Sequence, residues 1–297
     1  MTLVQTRLIA SLQLSTTPSP FSISPSPMKL TPRTAKKYTS LITNRTFRRV
    51  GIFCLLIILW QVYVSVSQVP ALLIPTPLSV LQVLIQDLLS QKLLQSTLST
   101  LSILCTGMLA GVILGTGLAA FAKVSRFGQD LLVVLSSMFN PLPAIAILPL
   151  VIIWFGFTPL SIIVVTAHAT TWPIALNTET GLSTINPTVL MVGKNLGLKG
   201  FRLVREIMLP AALPHILTGW KTAWAFGWRT VIAAELVFGT GGAAGGLGWH
   251  INYSRYFLQT DRVFAGLVVI ASLGLAVNYL FHLIELRTVD KWGMKHS

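Results

Sequence analysis

The chain has 297 residues, 53% of them hydrophobic and only 10% charged, with a formal net charge of +14 at pH 7. A soluble domain carries about 25% charged residues, and several apolar runs here reach the roughly 18 residues needed to cross a bilayer core of about 30 Å. The composition excludes an ordinary soluble protein and reads as a polytopic, all-helical membrane protein. The positive charge lies between apolar runs, where it encodes topology, and not in a nucleic-acid-binding patch.

Residues 1–49 are rich in Ser, Thr and Pro and then basic ("KLTPRTAKKYTSLITNRTFRR"). They hold too little apolar material to fold and predict a disordered cytoplasmic tail without a cleaved secretory signal. Met28 offers an internal start, which would leave residues 1–27 untranslated. A transmembrane domain is predicted over 50–286, with six spans at about 50–67, 97–122, 131–155, 158–177, 214–238 and 263–286, followed by a cytoplasmic tail, 287–297. Seventeen Lys and Arg fall in the N-tail, loops 123–130 and 178–213, and the C-tail, against Lys92, Arg255 and Arg262 on the other side. This bias places both termini in the cytoplasm.

Between the first two spans, Pro70, Pro75 and Pro77 forbid a helix, and "SVLQVLIQDLLSQKLL" predicts an amphipathic helix lying at the interface. In the third span, Pro141, Pro143 and Pro149 each remove a backbone donor. A membrane helix tolerates that where neighbours or a water-lined cavity satisfy the freed carbonyls, so the span reads either as a kinked packing helix or, with these prolines, as the wall of a moving pathway. Gly156 and Pro159 make a tight outer turn into the fourth span. The five histidines (His168, His215, His250, His282, His296) have no metal-ligand spacing, and Cys54 and Cys105 read as apolar filling.

Loop 178–213 is the longest cytoplasmic connection. Asn186 is a candidate N-cap, Pro187 suits the first helical position, and Gly197 is placed to end the helix in a left-handed turn. The short helix between them carries Val189, Leu190, Met191, Val192, Gly193, Lys194, Asn195 and Leu196. A second amphipathic piece, Phe201 to Leu209, is expected to stop at Pro210. Such helices rest on lipid, cap a bundle or insert into a partner's groove.

The fifth span holds Lys221, Arg229 and Glu235. Lys221 can snorkel to the interface. Arg229 lies deeper, where a cation costs about 2.5–3.5 kcal/mol and so faces protein or water. With Glu235 it forms either a structural ion network or part of a pathway for an anion. The outer loop 239–262 is glycine-rich, with Trp249, Tyr253 and Tyr256 suited to the headgroup level. Its glycines lack the Lys-Ser/Thr and the strand-to-helix context of a phosphate loop, so the chain has no nucleotide site of its own.

The stretch "LGLKGFRLVREIMLPAALPHI" resembles the cytoplasmic signature of permease subunits of bacterial ABC importers, which runs E-A-A, three residues, Gly, nine residues, Ile-x-Leu-Pro. Gly197, Ile207, Leu209 and Pro210 match it, while Met191, Val192 and Gly193 stand in place of E-A-A. "IPTPLSV", "NPLPAIAILPLVIIWFG", "VIAAELVFGTGGAAGGLGWHI" and "TDRVFAGLVVIASLG" are similar to the nitrate/sulfonate/taurine-type branch, and the likeness covers roughly residues 50–294.

The resemblance implies a type I importer permease fold in the bacterial inner membrane. Two permease copies would pair with two cytoplasmic ATPases, which bind ATP-Mg, and with an external solute-binding protein. This chain itself would hold no cofactor and catalyse nothing. Helix 187–196 would couple to the ATPase, and the cargo would be a small anion such as a sulfonate, taurine or nitrate. The competing readings are an ion-coupled secondary transporter, for which only Glu235 qualifies as a coupling carboxyl, and a membrane enzyme, for which no catalytic constellation appears.

Overall fold

The computed structural model describes residues 45–238 and 245–290. Of the expected tails 1–49 and 287–297, residues 1–44 and 291–297 lie outside the described residues, as does the glycine-rich stretch 239–244, whereas 45–49 and 287–290 are helical. The chain divides into two compact units, Met1–Leu55 and Leu56–Ser297. In the first, only the start of a helix is described.

That helix, α1 (Arg45–Ser67), is a nearly continuous apolar run. Its second half, in the larger unit, anchors through buried Val64 and through Trp60, whose ring lies 5.5 Å from that of Phe264. Helix α2 (Pro77–Leu89) starts where Thr76 Oγ1 accepts from the Ser79 N–H at 3.2 Å and Pro77 fills the first helical position. It is shorter than the predicted interfacial helix. Gln91 adopts φ +61°, and the next helix, α3 (Lys92–Val124), begins at once. Its 33 residues span about 50 Å, well beyond the bilayer core.

The third predicted span is not one kinked helix. It consists of α4 (Arg126–Phe139), a 3₁₀ turn (Ala144–Ile147) and α5 (Leu148–Phe155), bent by 84° at the break. Pro141 and Pro143 sit in the break and remove two successive opportunities to continue the ladder. Gly156, at φ +72°, then turns the chain into α6 (Pro159–Ser183). A short helix α7 (Pro187–Asn195) follows.

The chain next runs through α8 (Gly200–Leu203), a π-helical segment (Val204–Met208) and α9 (Leu209–Phe238) without interruption. Pro210 therefore does not stop the helix as expected. It falls in the first turn of α9, directly after the wider π turn, where a missing N–H and a proline ring are tolerated. Helix α10 (Leu247–Tyr256) and α11 (Thr260–Glu285), extended by a π turn (Leu286–Asp290), complete the fold.

Among the described residues, four helices are long and apolar enough to cross a membrane (Phe47–Ser67, Lys92–Val124, Pro159–Ser183 and Thr260–Thr288), and the bent pair α4/α5 makes a fifth if it is counted as one span. Helix α9 has 30 residues, about 45 Å, but its three charges keep it off that count. Lys221 is not a free anchor: its Nζ lies 3.3 Å from Glu285 Oε1 on α11.

Two kinds of contact hold the bundle together. Gly107, Gly111 and Gly115 form one small face of α3, against which α6 lies closely. A Cβ on Gly107 would stand 2.7 Å from Thr166 Cβ, and one on Gly115 would stand 2.6 Å from the Thr171 carbonyl. In a membrane, close packing of this sort replaces the hydrophobic drive. An apolar core of Leu104, Val165, Trp224, Trp228 and Val231 then joins α3, α6 and α9, with the two indoles stacked at 6.0 Å.

Candidate functional site

The break after α4 opens a cavity of about 410 Å³, a size ordinary for a small-molecule site. One wall is the non-helical backbone of Asn140 to Pro143. Leu142 N–H still bonds the Phe139 carbonyl (3.2 Å) and Ala146 N–H bonds that of Pro143 (2.9 Å), so the bend is held by its own turns. The second wall is α6, which contributes His168, Ala169 and Trp172. Trp172 stacks on Phe139 at 5.7 Å and donates from Nε1 to His168 Nδ1 at 3.4 Å. His168 thus belongs to an aromatic cluster with Phe139 and Trp172.

The third wall is α9. Phe226, Arg229, Thr230 and Ala233 line it, spaced i, i+3, i+4 and i+7, which is one face of a helix. Arg229 is exposed and makes no ion pair among the described residues. Among the described residues it is the only formally charged side chain on the cavity wall. An uncompensated cation beside an apolar, aromatic surface attracts and orients an anion.

Glu235 does not join it. Six residues on, it points to another side of α9, where it is 0% exposed. The Thr100 hydroxyl lies 2.9 Å from both of its oxygens, and the Gly248 N–H donates to Oε2 at 2.9 Å. The same hydroxyl accepts from the Leu247 N–H at 2.8 Å. Glu235 and Thr100 thereby satisfy the free amides at the start of α10 and fasten that helix to α3 and α9. Gly246 and Gly248 are needed for the close approach, since a Cβ on Gly248 would stand 2.6 Å from Glu235 Cβ. Of the sequence-predicted pathway residues, Pro141, Pro143 and Arg229 meet at the cavity. Glu235 and Pro149 do not; Pro149 is exposed in the first turn of α5.

At the other end of the bundle, Asn186 Oδ1 accepts from the Thr188 N–H at 2.9 Å and Pro187 opens α7. Gly197, at φ +79°, closes it. Its own N–H bonds the Lys194 carbonyl, and the Leu198 N–H bonds that of Gly193. Gly193 is buried, with Leu203 and Ile207 so near that a Cβ would meet both at 3.0 Å. Met191 (61% exposed), Val192 (52%) and Leu196 (73%) face outward. Leu209 is exposed and Pro210 half-buried.

Apolar helices around a cavity with one cation, and a short apolar-faced helix projecting from a basic loop, have the build of a membrane transport permease. The chain belongs to the family of binding-protein-dependent transport system inner membrane components, whose model matches residues 107–290. It is 30% identical over 237 residues to the putative aliphatic sulfonates transport permease SsuC of Bacillus subtilis (strain 168), covering 80% of this chain and 84% of that one. It is 28% identical to the taurine transport system permease TauC of Escherichia coli (strain K12), covering 82% and 88%. It is also 30% identical to the riboflavin transport system permease RibX of Chloroflexus aurantiacus, covering 80% and 87%.

A crystal structure of an amino acid ABC transporter with histidines shares the fold. Its TM-score is 0.53 at 17% identity, over 69% of this chain and 97% of that one. The protein is thus a multi-pass inner-membrane permease subunit of an ABC importer. It is not itself an enzyme, and as a member of this family it works with an ATPase and a solute-binding protein.

Proposed function

We propose that this permease forms the membrane pathway for a small anion of the sulfonate, taurine or nitrate kind, with Arg229 as the group that attracts it. The unpaired guanidinium on the cavity wall, opposite the break at Pro141–Pro143, carries the reading. Keeping a cation there without a partner costs a few kcal/mol, which a passing anion offsets. An ion-coupled carrier would place a carboxyl group in the pathway; among the described residues the cavity wall has none, because Glu235 is sealed elsewhere.

In the same reading α7 seats in a groove of a cytoplasmic ATPase through Val189, Met191, Val192 and Leu196. Gly193, Gly197 and Ile207 hold it in place, and two copies of the chain form the pathway within anionic lipid. Both termini are cytoplasmic, ATP-Mg is bound by the ATPase alone, and this chain carries no cofactor.

The test is uptake into proteoliposomes containing the permease, its ATPase and internal ATP, with the solute-binding protein supplied outside. Methanesulfonate, taurine, nitrate and riboflavin are offered in turn. Anion uptake should require ATP, and Arg229→Ala should lower it by about tenfold or more while leaving assembly intact. Uptake driven by an ion gradient alone, riboflavin uptake without anion uptake, or equal loss of transport and assembly in Arg229→Ala would each overturn the proposal.

A further inference from the structure

A second cavity, of about 280 Å³, lies where α2, α3, α10 and α11 meet. Helix α9 starts beside α7 and ends toward α10, so this cavity and α7 occupy opposite ends of the bundle. Nothing in the transport reading so far uses it.

Its floor is Asp87, on the last turn of α2 and only 1% exposed. Asp87 Oδ2 lies 3.4 Å from Arg262 Nε and 3.8 Å from His250 Nε2. Arg262 Nη1 also donates to Gln259 Oε1 at 2.7 Å, so the guanidinium is held from two sides. Burial pushes the His250 pKa below its ordinary value; Asp87 opposes that push, and Arg262 and Lys92 add to it. That direction favours the neutral imidazole.

Lys92 also lines the cavity and has no ion-pair partner among the described residues. It is the first residue of α3, whose first turn contains no acid. Arg262 stands in the first turn of α11, where the Asp261 carboxylate accepts from the Arg262 backbone N–H at 2.9 Å but does not line the cavity. Two cations thus occupy helix N-termini, positions where the backbone itself favours negative charge. One buried carboxylate offsets one of them. The cavity keeps a surplus positive charge, and Gln95, Ser96 and Ser254 add neutral hydrogen-bonding groups. Such a wall favours an anion.

We infer that this outer cavity is a second anion site, which receives the oxoanion group of the solute before Arg229 meets it. The inference rests on the reading of the solute as an anion. A phospholipid phosphate offers the same chemistry, because α2 also exposes Leu78, Leu81 and Ile85. The experiment separates the two sources.

Radiolabelled methanesulfonate is titrated by equilibrium dialysis against the full-length permease in a phosphate-free detergent, in parallel with Arg229→Gln, Lys92→Gln and Arg262→Lys. Native mass spectrometry of the same samples follows retained phospholipid. The Arg229→Gln protein should keep one class of site. Lys92→Gln should weaken that class by about tenfold, and Arg262→Lys, which preserves the pairing with Asp87, should weaken it less. Loss of all binding in Arg229→Gln overturns the outer site and leaves the transport proposal standing. Binding indifferent to Lys92 also overturns it. A phospholipid that is retained by the wild type, lost in Lys92→Gln and not displaced by methanesulfonate assigns the cavity to lipid and overturns the solute route. Outer binding that persists while Arg229→Ala transports normally defeats the transport proposal instead.

Discussion

Thr100→Val tests the fastening of α10 most directly. Valine has nearly the shape of threonine, so packing at this fully buried position is preserved while the hydroxyl is lost. That hydroxyl does two jobs: it donates to Glu235 and accepts from the Leu247 N–H. Both partners sit in residues with no solvent exposure. Each buried polar group left without its partner costs about 1–3 kcal/mol, so the pair should cost roughly 2–6 kcal/mol. At about 2–4 °C per kcal/mol for a chain of this size, the melting temperature should fall by roughly 5–20 °C. Thr100→Ser keeps the hydroxyl and removes one methyl, worth about 0.8 kcal/mol, so most of the stability should return. The assay is thermal unfolding of the detergent-solubilised full-length chain, followed by tryptophan fluorescence. A Thr100→Val protein that melts within about 2 °C of wild type would show that the network contributes nothing.

Three further outcomes are expected. Gly248→Ala forces a methyl against Glu235 Cβ and the Ile232 carbonyl, at 2.6 and 2.7 Å; it should destabilise by about 1–3 kcal/mol in the same assay, and a neutral result would mean α10 can shift freely. In Gly197→Val the added Cβ meets no atom within 4 Å, but the residue must hold φ +79°, at a cost of roughly 1–2 kcal/mol. It should weaken co-purification with the ATPase while the bundle melts nearly as wild type; undiminished co-purification removes the assigned role of the turn. His250→Gln concerns pH. Because the folded pKa lies below the ordinary 6.5, the unfolded chain takes up its proton first. The stability contribution is complete above about pH 6.5 and is lost as pH falls through the folded pKa. Melting temperatures between about pH 7.5 and 5.5 should therefore fall less in His250→Gln than in wild type, and equal slopes would exclude His250 as the source.

Local signals were the legible ones. Asn186, Pro187 and Gly197 mark the ends of α7 because caps and left-handed turns are decided by a few neighbouring residues. The spans show because lipid demands apolar runs. Arg229 stands out in the sequence because a cation inside an apolar span needs a reason. Features that depend on distant partners were hidden. Glu235 looks like a companion of Arg229 along the chain, but its partners are Thr100, 135 residues earlier, and the amides after the glycine loop. Asp87 sits in an amphipathic interfacial helix and is buried because Arg262 comes to it. The prolines announce a break after residue 139 but not its 84° bend. The π turn that carries the helix past Pro210 has no signature in residue type. The glycine face of α3 was visible in principle, as Gly107, Gly111 and Gly115 are four residues apart, yet a reading by hydrophobicity alone passes over it.

These placements bear on which parts can move. Helix α7 touches the rest of the chain through Gly193, set against Leu203 and Ile207, and through Leu190, beside Leu182, Ile185 and Ala212. From Ile207 the helical path runs unbroken to Arg229, twenty-two residues and about 33 Å along. A load applied at α7 therefore reaches the cavity along a helix axis and not through a loop. The π segment and Pro210 are the compliant points of that path. At the far end Glu235 is fastened to Thr100 and α10, so a load on α7 would push α9 at one end while the other is held. The cavity lies between, with α9 on one side and the bent Asn140–Pro143 backbone on the other. Relative motion of those two walls changes its width without disturbing the outer fastening. Pro141 and Pro143 thus share the cavity wall with Arg229, and Glu235 belongs to the fastening of α9 to α3 and α10.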